Sequence, residues 1–173
     1  MPSIEVPQGY SYVIAVTASS LFLNAYQQAN VNIRRAAAKV PYPQAYAEKA
    51  EAAASFEHQR FNCAQRAHQN TLEYAPHVLL GMHITGLKYP ILAASLGAGW
   101  VVGRILYTIN YSTGYAEKRQ RRGAVIGSMC YLGRYFNLDL STQSFTYQIS
   151  ATLHAGLIGT TAFTAWQFLK EGL

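Results

Sequence analysis

Residues 90–111 read PILAASLGAGWVVGRILYTINY, an apolar run that opens at Pro90 and holds one charged residue, Arg104. A helix needs about 20 mostly apolar residues to cross a bilayer, and proline is favoured in the first turn of a helix. The small residues of this run, among them Gly97 and Gly99, allow neighbouring helices to approach closely. The run therefore predicts a membrane-spanning helix that packs within a bundle.

Three further apolar stretches, at roughly 10–28, 69–87 and 151–169, predict three more spans. Half of the 173 residues are hydrophobic and only 13% are charged, whereas soluble domains carry about 25% charged residues. The expected fold class is therefore all-α: a transmembrane four-helix up-and-down bundle, formed by a single domain over residues 1–173. The alternative, a soluble bundle of four buried helices, is disfavoured because the polar faces are too thin to cover its outside.

The basic residues predict how the bundle is oriented. Nine of the fourteen Lys and Arg residues lie in two segments, one within the first loop and one within the third, whereas the second loop holds only Lys88. Cytoplasmic loops carry such an excess, so we expect both basic loops in the cytoplasm and both termini across the membrane. No Lys or Arg precedes the first apolar stretch, which favours a retained helix over a cleaved signal. The nine residues are Arg34, Arg35, Lys39, Lys49, Arg60, Lys118, Arg119, Arg121 and Arg122.

Residues 61–76, FNCAQRAHQNTLEYAP, hold a polar cluster made of Arg66, Asn70, Glu73 and Tyr74. Their spacing places all four on one face of a helix. A site for a simple anion would not include Glu73, so the mixed set suits a small zwitterionic ligand with carboxylates and an ammonium group. An internal salt bridge between Arg66 and Glu73, with no ligand, is the alternative.

A second polar array lies on the predicted helix at 90–111. Arg104, Tyr107 and Tyr111 share one helix face. An arginine in an otherwise apolar turn must meet a partner or a ligand, because an isolated charge is costly within the membrane. Each tyrosine alone is explained by the aromatic belt at the membrane surface. Together, the two arrays predict a binding site.

These residues resemble the MAPEG family, small four-helix membrane proteins of eicosanoid and glutathione metabolism, and most of all its microsomal glutathione transferases. The resemblance covers most of the chain from Tyr10 to Leu169, and its most specific part is RAHQNTLE at 66–73. KVPYP at 39–43 is also similar. Two further segments carry it, GWVVGRILYTINYSTGYAEKRQRRGA at 99–124 and GLIGTTAFTAWQFL at 156–169.

The resemblance implies a homotrimer that binds glutathione, as co-substrate, at each subunit interface near the cytoplasmic side. The cluster on residues 61–76 would bind it from one subunit, and Arg104, Tyr107 and Tyr111 would line the site from the neighbour. His68 stands where leukotriene-C synthases have Gln. The residues implied to bind glutathione are Arg34, Arg35, Arg66, His68, Asn70, Glu73, Tyr74, Arg104, Tyr107 and Tyr111.

An arginine at the start of the fourth span activates the thiol in relatives. Here that residue is Arg122 or Arg121, and the doubled arginine leaves the register open by one residue; Tyr111 is the third catalytic candidate. The thiolate is the nucleophile, and a guanidinium within about 4–6 Å lowers a thiol pKa by about 1–3 units. KRQRR at 118–122 is alternatively a topology signal alone.

The chain departs from the family at residues 134–150, which resemble an insertion in or before the fourth helix. Arg134, Asp139 and several polar residues make this segment costly in lipid. Two interpretations stay open: a genuine extra segment, or a translated intron whose flanks would otherwise join into a normal span. If the segment is genuine, the position of the thiol activator changes.

The expected function is that of a membrane glutathione transferase with peroxidase activity. Its partners would be membrane lipid and a lipophilic electrophile or lipid hydroperoxide, with leukotriene-C synthesis as a related reaction. The alternative is a non-enzymatic scaffold like the five-lipoxygenase-activating protein, and a small transporter subunit is a third class. We expect the protein to be located in the endoplasmic reticulum membrane or the outer mitochondrial membrane. We expect no nucleic acid partner, for want of a base-reading basic face, and no metal, because Cys63 and Cys130 fit no ligand spacing.

Overall fold

A computed structural model describes residues 5–115 and 145–171, with side chains in the last helix described for residue 153 and residues 155–171. Within these ranges the chain folds into helices, with no strand, which confirms the all-α prediction. The helices are α1 (Tyr10–Ala38), α2 (Lys49–Ala54), α3 (Phe56–Gly86), α4 (Pro90–Tyr111) and α5 (Phe145–Glu171).

The four long helices pack side by side, and successive ones run in opposite directions. Helix α1 packs on α3 and α4, and α5 packs on the same two helices. At one end of the bundle, Tyr10 of α1 hydrogen-bonds His83 near the end of α3. At the other end, the Asn30 side chain donates to Ser112, just after α4, over 2.7 Å. These two contacts show that α3 runs opposite to α1 and that α4 runs in the same direction as α1.

Two helices are longer than the spans expected from the sequence. Helix α1 has 29 residues and α3 has 31, so each is roughly 45 Å long at 1.5 Å per residue. A hydrocarbon core is about 30 Å thick. The expected spans at 10–28 and 69–87 mark the apolar parts, and both helices continue past them on the side of the α1–α2 connection.

The boundaries also differ from expectation in two other places. The first-loop sequence AYAEKAEAAASFEHQRF at 45–61 is rich in Ala and Glu and predicts a solvent-exposed helix, but only Lys49–Ala54 forms a separate one. Extended backbone at Ser55, with φ −140°, ends it, and Phe56 onward belongs to α3. Helix α4 covers the residues expected for the third span. Helix α5 begins at Phe145, so residues 145–150 of the expected insertion are helical; residues 134–144 lie outside the described part.

Among the described residues, α4 is the one helix both long and apolar enough to cross a membrane by composition. Four spans were expected. The other long helices carry polar residues that lower their average, and several of these face the bundle interior, such as Gln27, Thr85 and Thr164. Large apolar side chains instead point outward, with Leu21 69% and Phe22 76% exposed. Polar groups inside and apolar groups outside are what a lipid environment favours.

Glycine allows the helices to approach at the level of Gly97. A Cβ atom added there would lie 2.3 Å from the Met82 sulfur of α3 and 3.0 Å from Val16 of α1. Real Cβ contacts are never as short as the first distance. Helices α1, α3 and α4 therefore approach closely at this level, about two helical turns from Arg104.

Candidate functional site

Arg66 and Glu73 form an ion pair on one face of α3. The guanidinium Nη1 lies 2.8 Å from Glu73 Oε1, and Nη2 lies 3.4 Å from Oε2. The two side chains are 43% and 44% exposed. An ion pair this exposed contributes only about 0–1 kcal/mol. The internal salt bridge considered from the sequence therefore exists, but a charged ligand can replace it at small cost.

Asn70 connects this pair to helix α4. Its Oδ1 accepts a 2.6 Å hydrogen bond from Arg104 Nη1, and its Nδ2 donates to Glu73 Oε2 over 3.4 Å. The result is one continuous polar network, Arg104–Asn70–Glu73–Arg66, hereafter the α3–α4 network. It carries two guanidinium groups and one carboxylate, so positive charge is in excess.

Aromatic rings surround the guanidinium of Arg104, which is only 5% exposed. The guanidinium carbon lies 5.0 Å from the ring centre of Tyr74, 5.5 Å from that of Tyr107 and 5.6 Å from that of Trp100. Cations are attracted to aromatic faces at these distances, more strongly when desolvated. The rings thereby hold the Arg104 charge in a nearly buried position beside Asn70.

Tyr111 lies at the end of the same aromatic row. Its ring meets that of Tyr107 edge to face, with centroids 5.5 Å apart. It is buried and packs in a small cluster with Cys63 and Ala67 of α3. Tyr111 therefore lies on the α3 side of α4, with the other members of the second array.

The two polar arrays meet within one chain. The expectation that Arg104, Tyr107 and Tyr111 line the site of a neighbouring subunit stays a prediction. Within the chain, Arg104 hydrogen-bonds Asn70. The physical reason is the short turn Leu87–Tyr89 between α3 and α4, since helices joined by so short a connection pack as antiparallel neighbours.

A buried glutamine joins the helices behind the site. Gln27 of α1 has no exposed surface, and its Nε2 donates to Thr71 Oγ1 over 2.8 Å and to Thr108 Oγ1 over 2.6 Å. Thr71 follows Asn70 in the sequence, and Thr108 follows Tyr107. The glutamine thus links α1 to both helices that carry the α3–α4 network. The sequence could have indicated this contact, because an amide side chain within a membrane span needs a hydrogen-bond partner.

A model of the MAPEG family matches residues 13–137 of the chain. This match covers more than half of the sequence and includes every residue of the α3–α4 network. The chain belongs to the MAPEG family. MAPEG proteins are membrane proteins, and the family includes glutathione transferases as well as scaffolds like the five-lipoxygenase-activating protein.

Not all of the residues expected from the MAPEG resemblance gather at the network. His68 follows Arg66 by two residues, about 200° around the helix, and its Nε2 lies 2.9 Å from Asn24 Oδ1 of α1. Arg34 is half-buried near the end of α1, and among the described residues its buried Nε has no hydrogen-bond partner. His68 therefore faces α1, and Arg34 belongs to α1 itself.

Arg35 has contacts of a different kind. Its side chain is nearly buried, Nη1 donates to the Gln44 carbonyl over 2.6 Å, and its guanidinium lies 4.4 Å from the Tyr42 ring centre and 4.6 Å from that of Phe61. These contacts fix the loop after α1 against α3. The expected contact of Arg35 with glutathione stays a prediction.

The expected thiol activators, Arg121 and Arg122, lie outside the described residues, which reach Tyr115 after α4.

One residue of the site was missed from the sequence. The Tyr46 hydroxyl, in the loop after α1, donates a hydrogen bond to Gln69 Oε1 on α3, next to Asn70. No periodicity could have indicated it, because the contact joins an irregular loop to a helix.

Proposed function

We propose that this chain is a membrane glutathione transferase with glutathione peroxidase activity, similar to microsomal glutathione S-transferase 3. The observation that carries the proposal is the α3–α4 network, in which one face combines two guanidinium groups, a carboxylate and an amide. Glutathione at neutral pH has two carboxylates and one ammonium group. Its charges complement those of the network, in sign and in number.

In the proposed mechanism, Arg66 and Arg104 bind carboxylates of glutathione and Glu73 binds its ammonium group. Arg122 or Arg121 stabilises the thiolate, because a nearby cation lowers a thiol pKa. The thiolate sulfur attacks an electrophilic carbon of a lipophilic substrate and displaces its leaving group or adds to it. With a hydroperoxide, the peroxide bond is reduced to an alcohol and water, and two glutathione molecules become one disulfide.

A homotrimer is part of this proposal. His68 contacts Asn24 of α1, on another side of α3 from Arg66, which suits a contribution to a glutathione shared with another copy. The outward apolar side chains, such as Leu21 and Phe22, suit contacts with lipid or with a second subunit. We place the protein in the endoplasmic reticulum or outer mitochondrial membrane, with the basic loops in the cytoplasm.

The test is turnover by the protein purified in detergent, with glutathione and either a chlorinated nitrobenzene or cumene hydroperoxide. Wild type should turn over both, and Arg66→Ala should lose most glutathione binding. Arg60→Ala is the matched control, because Arg60 forms the other arginine–glutamate pair of α3, with Glu57 at 3.1 Å. Neither binding nor turnover in the wild type would sink the enzyme proposal.

The thiol activator has its own test. Replacing Arg121 and Arg122 together by alanine should leave glutathione binding intact and suppress the ultraviolet absorbance of bound thiolate. A normal thiolate signal in this double variant would show that the activator lies elsewhere.

The second candidate function is a scaffold that presents a fatty acid to a partner, as in the five-lipoxygenase-activating protein. MAPEG membership allows it, and it predicts lipid binding without glutathione turnover. The complete arginine–asparagine–glutamate–tyrosine array favours the enzyme, because a fatty acid offers one carboxylate and no ammonium group for Glu73.

A further inference from the structure

The loop between α1 and α2, residues 39–48, is fixed to α3 by a side chain. Asn62 makes two hydrogen bonds to the backbone of Ala47, accepting from its nitrogen over 2.8 Å and donating to its oxygen over 2.9 Å. Ala47 is buried in a cluster with Val40 and Phe61. The residue after Tyr46 is therefore held in place, with both backbone groups satisfied.

The other side of Tyr46 is held as well. The Gln44 carbonyl accepts the hydrogen bond from Arg35, and the Gln44 side chain donates to Glu51 of α2 over 3.0 Å. Glu51 and Glu48 form a reciprocal capping box at the start of α2. A loop fixed on both sides holds the Tyr46 side chain in one direction, toward α3.

That direction brings the Tyr46 phenol to the α3–α4 network. Its hydroxyl donates to Gln69 Oε1, and Gln69 lies between Arg66 and Asn70 in the sequence. The charges of Arg66 and Glu73 both act on the pKa of the Tyr46 phenol, which agrees with a position near the ion pair.

The phenol is a hydrogen-bond donor at neutral pH. Burial raises the pKa of Tyr46 more than the neighbouring Arg66 lowers it, so the hydroxyl keeps its proton throughout the physiological range. A carboxylate bound by Arg66 would be a better acceptor for this proton than the neutral amide of Gln69, since bonds to ionised acceptors are about twice as strong.

We infer that Tyr46 is a ligand-contacting residue, whose hydroxyl turns from Gln69 to a carboxylate of glutathione held beside Arg66. This inference rests on the proposed function, because it names a further contact of the same site. It assigns a role in binding to the loop at residues 39–48, where the sequence predicted no ligand contact.

The experiment measures glutathione dissociation constants by titration calorimetry on the full-length protein in detergent. Tyr46→Phe removes only the hydroxyl and should weaken binding about five- to tenfold, as expected when binding exchanges a bond to a neutral amide for one about twice as strong to a charged group. Tyr42→Phe is the matched control in the same loop; its ring keeps its contact with Arg35, and its binding should equal that of the wild type.

Gln69→Ala separates a ligand contact from a structural one. It removes the acceptor that the hydroxyl uses in the free protein, so binding should be unchanged or tighter. If Tyr46 served only to tie the loop to α3, Gln69→Ala would weaken binding as much as Tyr46→Phe does, and the inference would be overturned. An unchanged dissociation constant in Tyr46→Phe would also overturn it.

Glutathione binding by the wild type and by Arg66→Ala tests the proposed function separately from the role of Tyr46. If the wild type binds glutathione, Arg66→Ala loses it and Tyr46→Phe does not, then the proposed function stands and the role of Tyr46 fails. If the wild type binds no glutathione, the proposed function itself fails, and the role of Tyr46 fails with it.

Discussion

Arg104 of α4 donates a 2.6 Å hydrogen bond from Nη1 to Oδ1 of Asn70 on α3. The bond joins a nearly buried charge to an exposed ion pair, because Asn70 also donates to Glu73. One amide thereby fixes the relative position of two helices and of two guanidinium groups. The arrangement holds both cations on one side of the subunit before any ligand binds, which lowers the entropic cost of binding.

Asn70→Ala should therefore affect both stability and binding. It removes an acceptor from a buried guanidinium, and we expect a loss of about 1–3 kcal/mol in the free energy of unfolding with glutathione binding at least about tenfold weaker. Thermal unfolding would measure the change in stability, and titration calorimetry would measure the change in glutathione binding. Asn24→Ala is the control for stability, because it removes another asparagine side chain that joins two helices, here α1 to half-buried His68 of α3. Wild-type binding by Asn70→Ala would contradict the role given to the amide.

Gln27→Ala should destabilise the bundle by about 2–4 kcal/mol, since it leaves a cavity at a fully buried position. It also removes the hydrogen bonds to Thr71 and Thr108. Gln27→Met keeps most of the volume and loses only those bonds, so its loss should be smaller. The measurement is the thermal unfolding of the three proteins in one detergent. A Gln27→Ala variant as stable as the wild type would show that this network does not hold the helices together.

Gly114→Ala should lower the unfolding temperature. Gly114 has φ +90°, and a Cβ there would lie 2.6 Å from Arg60 Cγ and 3.0 Å from the Phe56 ring. A side chain in left-handed backbone costs about 1–2 kcal/mol, and the overlap adds to that. Gly156→Ala is the matched control: a Cβ there meets nothing within 4 Å, and alanine stabilises a helix by about 0.5–1 kcal/mol. Equal effects of the two substitutions would refute this explanation.

Helix α2 should lose protection in acid. Hydrogen bonds from the Glu48 backbone and from Gln44 lower the pKa of Glu51 below its usual value of 4.5. A lowered pKa in the folded protein means that this carboxylate stabilises α2 above the unfolded value and ceases to do so as pH falls through the folded one. Amide hydrogen exchange in residues 49–54, corrected for intrinsic rates, should therefore increase below about pH 4.5. Glu51→Gln should remove this pH dependence; if it persists, Glu51 is not its cause.

Spacing along single helices was enough to predict much of the site. The intervals between Arg66, Asn70 and Glu73 place them on one face of any helix, and they do lie together on α3. The apolar run at 90–111 likewise gave the extent of α4. Helices α1 and α3 extend beyond the expected spans, because hydropathy marks the part of a helix that suits lipid and not the helix itself.

The sequence by itself determined the helical fold, the membrane family and which polar residues share a face, since these depend on neighbours within one or two turns. Only the tertiary structure decided that Arg104 meets Asn70 of its own chain, that Gln27 joins three helices, that Arg35 fixes a loop and that Tyr46 reaches Gln69. Each of these contacts joins residues distant in the sequence. Their geometry depends on how closely the helices approach and how a loop is anchored, and no local pattern carries that information.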